Sequence, residues 1–304
     1  MRRLLLLVAL AACALAPSAL ADGLPVLGID VGSSGVAVPG APDRFVTVNQ
    51  GTTTLVERIA RDGGRVRGIT RVAGTFTVPA VAYDSSAGGL SADGRSLVLI
   101  EPRVSFPRQV TRFVLLDAPT LNVRRTVTLR GDFSFDAVSP HGRTLFLVNY
   151  TSPNDPTRYT VRAYDLETGA LLPAAVRDPA ERSDKMRGSP ITRAMSADGR
   201  FAYTLYDGAG GTPFVHALDT VGLRAHCIDL PMLAGRRDLW ALRFTLARGA
   251  QLRIGKPGAE VARVDLVSYR ASVPAAHESA RLPSWLVVAG ALAAAAVLLA
   301  IGLP

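Results

Sequence analysis

Four histidines and two cysteines are the scarcest reactive groups in this chain of 304 residues. His141, His216, His226 and His277 form no pair at helical metal-ligand spacing. There is no His-Glu-x-x-His, no Gly-x-Ser-x-Gly and no phosphate-loop pattern. Asp207-Gly208-Ala209-Gly210-Gly211 is glycine-rich, but it joins two extended segments and reads as a loop, not a nucleotide cradle. Cys227 sits in the apolar stretch Ala225-His226-Cys227-Ile228, which favours a buried, inert thiol. No catalytic residue, metal ligand or cofactor is therefore assigned. The alternative is a metal site or a Ser-His-Asp triad assembled from distant segments. Asp132 and Asp136 could offer carboxylates to calcium, but loop solvation and strand ends account for them more simply.

What remains is binding chemistry. Arg130-Gly131-Asp132-Phe133-Ser134-Phe135-Asp136, the trio Arg187, Pro190 and Arg193, and Arg236-Arg237-Asp238-Leu239-Trp240 interleave arginine with aromatic residues on loops. Arginine and tryptophan are the usual anchors of protein interfaces. The binding-face candidates are Arg130, Asp132, Asp136, Arg187, Arg193, Arg236, Arg237 and Trp240. The competing reading is a set of solvated rims, with Phe135 and Trp240 packed between elements.

The elements that position these residues come from an internal repeat. Leu90-Ser91-Ala92-Asp93-Gly94-Arg95-Ser96-Leu97, Val138-Ser139-Pro140-His141-Gly142-Arg143-Thr144-Leu145 and Met195-Ser196-Ala197-Asp198-Gly199-Arg200-Phe201-Ala202 read alike. Their glycines, Gly94, Gly142 and Gly199, are 48 and 57 residues apart. Asp-Gly between extended segments marks a tight hairpin, since glycine takes positive φ without steric cost. Asp93, His141 and Asp198 are thus turn residues. Degenerate copies lie at Gly249, 50 residues after Gly199, and at Asp43. Each unit then continues through a polar loop to a second turn, as at Asp117-Ala118-Pro119-Thr120, Asp165-Leu166-Glu167-Thr168-Gly169 and Asp219-Thr220. The longer spacing before Gly199 locates an insertion within residues 178–189.

Four antiparallel strands per unit, repeated five times, predict an all-β chain: a β-propeller of about five four-stranded blades. Six blades result if residues 22–40 add a sheet, and a strand around Val26–Asp30 is placed to complete the last blade. A β-sandwich is the competing architecture. Ser-x-Asp-Gly-Arg before an apolar strand, with an Asp-x-x-Thr-Gly-type turn two strands later, resembles bacterial WD40-like propellers of the TolB and YVTN kind over roughly residues 40–255. The resemblance implies the fold and little about function. The Trp-Asp dipeptide of eukaryotic WD40 blades is absent.

The two ends give an address. Residues 1–21 have a positive start, a short apolar run and Ala19-Leu20-Ala21, as a secretory signal peptide does. Leu10-Ala11-Ala12-Cys13 is a competing lipobox that would lipidate Cys13. Residues 22–275 form the ectodomain, 276–284 a juxtamembrane linker and 285–304 a transmembrane helix. That last stretch has no charge and, at about 1.5 Å per residue, measures about 30 Å, one hydrocarbon thickness. The expected location is the cell membrane, single-pass, with the propeller on the extracytoplasmic side.

Net charge is +9, and the basic residues are two lysines and thirty-two arginines. Loss of Arg2 and Arg3 with the signal leaves 32 basic against 25 acidic residues, +7. No basic-aromatic stripe or zinc spacing supports nucleic acid as a partner. The expected partners are the membrane, through the C-terminal helix, and an envelope protein or anionic polymer. The expected role is a binding or scaffold module; the alternatives are a propeller hydrolase or lactonase with its site over the channel, and a purely structural envelope protein.

Overall fold

The computed structural model describes residues 35–274, apart from Arg182 and Asp184. The signal segment, Cys13, the strand expected at Val26–Asp30, the whole linker and the span at 285–304 lie outside these residues. Among the described residues no helix is long and apolar enough to cross a membrane.

Nineteen described strands form five sheets, each built from strands consecutive in the chain and paired antiparallel. Blade one holds β1 (Asp43–Gln50), β2 (Thr53–Ala60) and β3 (Val66–Ala73), with an inner bridge from Val36 to Phe45. Blade two holds β4 (Ser96–Ile100), β5 (Val110–Asp117) and β6 (Val123–Arg130). Blade three holds β7 (Phe133–Val138), β8 (Thr144–Tyr150), β9 (Arg158–Asp165) and β10 (Ala170–Val176). Its fifth strand, β11 (Met186–Arg187), pairs with β9 and uses part of the extra length seen in the repeat spacing. Blade four is β12 (Pro190–Met195), β13 (Phe201–Tyr206), β14 (Phe214–Asp219) and β15 (Arg224–Asp229). Blade five is β16 (Arg243–Ala247), β17 (Gln251–Lys256), β18 (Ala259–Asp265) and β19 (Arg270–Ser272). The five units of the repeat are the five sheets, but only blades four and five have the expected four strands: blades one and two have three, their inner segments making only isolated bridges, and blade three has five.

Period-two alternation aims successive side chains at opposite neighbours. In β4, Leu97 and Leu99 pack toward blade one with Phe45 and Val56, while Val98 and Ile100 pack toward blade three with Phe135 and Leu147. This is why β4 and β7 are buried along their whole length, and why β4 reads as an apolar run from Leu97 to Ile100. Phe146 and Val161 meet Ala202 and Leu218 between blades three and four, and Leu205 and Val215 meet Leu252 and Ile254 between four and five. Each such side chain contributes about 1.5–3 kcal/mol on leaving water. Among the described residues no apolar cluster joins blade five to blade one; the far face of blade five carries Arg253 and Arg263, both paired with Glu260.

The repeat motif is a small hydrogen-bond device. The Ser91 hydroxyl donates to Asp93 Oδ1 (2.6 Å), and the same oxygen accepts from Arg95 N–H (3.0 Å). Ser91 Oγ in turn accepts from Ser96 N–H (2.9 Å). Blade four repeats all three bonds with Ser196, Asp198, Arg200 and Phe201 at 2.6, 3.0 and 2.8 Å. In blade three His141 replaces the aspartate, and Ser139 Oγ accepts from both Arg143 and Thr144 N–H. Gly94, Gly142, Gly199 and Gly249 all have φ near +70°. At Gly142 a Cβ would also run into Ser96 of the preceding blade. The second turns follow the same logic: Asp117, Asp165, Asp219 and Asp265 each accept two backbone N–H groups from residues two to three positions on, or a backbone and a hydroxyl group.

Candidate functional site

The first strand of each blade lies innermost, and side chains from four of these inner segments meet. Blade two supplies the unusual part. Its inner strand bridges to β4 only at Thr77 and Leu90, and between them an inserted hairpin closes through an Ala80–Ala87 bridge. The hairpin tip crosses to blade four: Tyr83 N–H donates to Pro190 O (3.0 Å) and Asp84 N–H to Ile191 O (3.2 Å). Asp84 is then fixed from several sides. Its carboxylate accepts from Thr192 Oγ1 (2.5 Å), from Ser86 Oγ (2.6 Å) and from Ser86 N–H (3.0 Å), and Arg243 Nε of blade five stands 3.8 Å away.

Two further carboxylates sit in the interior. Asp132 binds two arginines from the loop between β4 and β5. Arg103 reaches it through Nε and Nη2 (3.1 and 2.6 Å), and Arg108 through its backbone N–H (3.0 Å) and Nε (3.2 Å). Arg108 Nη2 also makes a short bond to Phe133 O. The three side chains are 2%, 8% and 2% exposed for Arg103, Arg108 and Asp132. Burial and the neighbouring Arg103 charge lower Arg108 to about 10, against the pull of Asp132. The Arg103 guanidinium lies 4.7 Å over the Tyr150 ring, a cation–π contact. Asp136 of β7 pairs in the same way with Arg193 of β12, whose Nη1 also donates to Asp136 O (2.9 Å).

A ladder of rings fills the space beside these pairs: Phe106, Tyr150, Tyr159, Tyr206 and Phe214, with successive centroids 5.2–6.1 Å apart. Burial pushes Tyr150 up to about 12 and raises Tyr159 and Tyr206 as well, so all three phenols stay neutral. The cavity left among Ser134, Asp136, Tyr150, Tyr159 and Tyr206 is about 20 Å³. That is room for roughly one water molecule.

Outside this filled centre the chemistry is accessible. Trp240, 48% exposed, stands edge-on to Tyr83 at 5.2 Å. Arg243 donates to Trp240 O (2.9 Å), and Arg236 pairs with Asp238, which also holds Lys256. Bonds from Arg236 and Lys256 hold the Asp238 carboxyl down at about 2. Arg130, Arg187 and Arg237 are exposed, and among the described residues none has an ion pair. Arg130 closes β6, Arg187 lies in β11, and Arg236, Arg237 and Trp240 lie between β15 and β16, so antiparallel order puts all five at the sheet ends where the inner strands begin. At the other end, Arg124, Arg125, His141 and Arg143 line a cleft of about 370 Å³ with Glu167. There His141 contacts Asp93 (3.3 Å), so two repeat turns touch.

The eight residues singled out from sequence therefore divide. Asp132, Asp136 and Arg193 point inward and are committed to ion pairs. Arg130, Arg187, Arg236, Arg237 and Trp240 reach the surface. Phe135 is buried between blades two and three. Sequence reading missed the hairpin tip with Tyr83 and Asp84, and it missed Arg103 and Arg108. The available signal was the long stretch between Val72 and Leu90, which exceeds what one inner strand needs.

A second pocket lies at the edge of blade four, about 250 Å³, walled by Arg177, Asp178, Glu181, Lys185, Met186 and Arg187. His216 of β14 and Cys227 of β15 are direct cross-strand partners on its floor, with Sγ 3.9 Å from Nδ1. Burial lowers His216 to about 4 and raises Cys227 to about 12. Asp178 accepts from Cys227 N–H (2.8 Å). Among the described residues no three His, Cys, Asp or Glu side chains gather in a way that could hold a metal ion.

No family model matches the chain, and no curated protein matches it in sequence. Solved structures with a similar fold include TolB from Acinetobacter baumannii, at TM-score 0.41 and 14% identity over 75% of this chain. The chain spans about half, 51%, of that protein's length. A functionally unknown protein from Desulfotomaculum acetoxidans aligns at TM-score 0.47 and 13% identity, covering 84% of this chain and 73% of that one. A puromycin hydrolase mutant aligns at 0.44 and 15%, covering 86% and 40%. The blade architecture itself rests on the strand pairing described above.

Proposed function

We propose that this protein is a binding propeller that engages an acidic partner with the exposed end formed by Arg130, Arg187, Arg236, Arg237 and Trp240. One observation carries the reading. The inner carboxylates Asp84, Asp132 and Asp136 are each held against an arginine, and the space among the inner side chains is about 20 Å³. These inner groups are committed to one another, which leaves the exposed arginines and tryptophan to meet a partner. The accessible groups are a half-exposed tryptophan, the guanidinium groups of Arg130, Arg187 and Arg237, which have no ion pair among the described residues, and Arg236, paired in solvent with Asp238; these types anchor interfaces and recognise carboxylates. The same reading places the propeller outside the membrane, tethered by residues 285–304. Protease protection of the full chain in sealed vesicles tests that placement.

The binding claim is tested with labelled poly-L-glutamate and the purified full chain, read by fluorescence anisotropy. Binding should be saturable and weaken with salt as screening increases. It should depend on Arg236 and Arg237, and remain unchanged in Arg124→Ala/Arg125→Ala, which alters the cleft at the opposite end. Equal loss in both variants would indicate attraction to net charge alone and would refute the proposed face.

A further inference from the structure

The pocket at the edge of blade four holds chemistry that the binding reading does not use. Arg193, Thr204, His216 and Cys227 occupy one register row across β12, β13, β14 and β15. Thr204 Oγ1 and His216 Nε2 on this row are buried and lack a hydrogen-bond partner. Native interiors leave few such groups unpaired, and each calls for a reason. His216 is 1% exposed, yet it lines the pocket together with Cys227 and Met186. An imidazole and a thiol are thus neighbours at a pocket whose lining also includes a methionine: a soft donor set.

We propose that this pocket binds one soft monovalent cation, Cu(I) or its analogue Ag(I), between Cys227 Sγ and His216 Nδ1, with Met186 as a third donor in the wall. The observed separation of 3.9 Å is long for a thiol–imidazole hydrogen bond. It suits a bridging ion: with metal–sulfur near 2.3 Å and metal–nitrogen near 2.0 Å, it corresponds to an angle of roughly 130°, wider than tetrahedral. Low-coordinate d¹⁰ ions adopt such angles. Coordination at Nδ1 fixes the ring proton on Nε2.

Donor softness selects the ion, since thiolate and thioether favour Cu(I). On binding, the Cys227 S–H bond breaks, its proton leaves to solvent, and a metal–sulfur bond forms with no change of oxidation state. One positive charge enters as one departs, so the net charge of the site is unchanged. Asp178, already accepting from Cys227 N–H, is near but directs its carboxylate to the backbone.

The test uses the reduced full chain, with Cys13→Ser introduced to remove the other thiol, dialysed anaerobically against Ag(I) or buffered Cu(I). The expected result is one ion per chain, with Zn(II) unable to displace it. His216→Gln should weaken binding at least ten-fold, and Cys227→Ser should abolish it. Should either variant fail to fold, X-ray absorption of the Cu(I)-loaded chain decides, and a first shell containing an imidazole nitrogen with sulfur is expected. Unchanged affinity in His216→Gln, retained binding in Cys227→Ser, or a shell of sulfur alone would each overturn the site.

Discussion

Asp132 and Asp238 are both aspartates held by two cations, yet they belong to different worlds. Asp132 lies between Arg103 and Arg108 with side chains almost wholly out of water. Asp238 lies between Arg236 and Lys256 in solvent. Inside, two guanidinium charges depend on one carboxylate, and neither can be rehydrated without opening the blades. Outside, water screens the same pairing and keeps every partner free to exchange. The interior arginines hold blade two to blade three, and the exterior ones remain available to something else.

The contrast can be broken at its inner end first. Asp132→Ala leaves Arg103 and Arg108 buried and uncompensated, and should cost about 3–5 kcal/mol in urea unfolding. Replacing Asp132 and both arginines together by apolar residues should recover much of that loss. A small effect of Asp132→Ala alone would mean that water reaches the cluster.

Next in size is the hairpin. Asp84→Ala removes the acceptor of Thr192 and Ser86 and should cost about 1–3 kcal/mol. Limited proteolysis should then cut within residues 79–88, where the wild-type chain resists. Unchanged protection would show that the two backbone bonds to Pro190 and Ile191 suffice.

The turn aspartates give a smaller, distributed effect. Hydrogen bonds from Ser196 and Arg200 hold Asp198 below the usual carboxylate range, and those from Thr120 do so for Asp117. Backbone bonds from residues 167 and 168 lower Asp165, and the Ser268 bonds lower Asp265. A folded-state pKa below the unfolded value of about 3.9 means the unfolded chain binds more protons as pH falls. The contribution is complete above that value and is lost as pH drops through the lower folded values. The urea midpoint should therefore be flat from neutral pH to about 5 and fall below about 4. Asp198→Asn should lower the plateau slightly and soften that fall.

The smallest stability effect is expected on the surface. Arg237→Ala and Trp240→Ala should leave the thermal midpoint within about 2 °C of wild type.

Much of this architecture is readable from sequence because turns are chemically demanding. A Ser-x-Asp-Gly-Arg turn needs its serine, its acceptor and a residue that tolerates positive φ, so blades two and four write the same letters. Even His141 and the degenerate copy at Gly249 keep the geometry. The inner hairpin is different. Val78, Ala80 and Val81 look like any inner strand, and nothing in their types says that the strand will leave its sheet to meet Pro190. The ion pairs are hidden for a statistical reason: with thirty-two arginines in the chain, no spacing marks Arg103 or Arg193 as the ones that turn inward. Five of the eight site candidates reach the surface because they lie at strand ends, in the short edge strand β11 or on the connection between blades four and five. The other three were carried inward by strand alternation and by a loop that folds back over Asp132.

The most direct test of the division between inside and outside is the affinity of the full chain for labelled poly-L-glutamate in Arg236→Ala/Arg237→Ala/Trp240→Ala against wild type. The account predicts at least about ten-fold weaker binding with an unchanged unfolding midpoint. Wild-type affinity in the triple variant would contradict it.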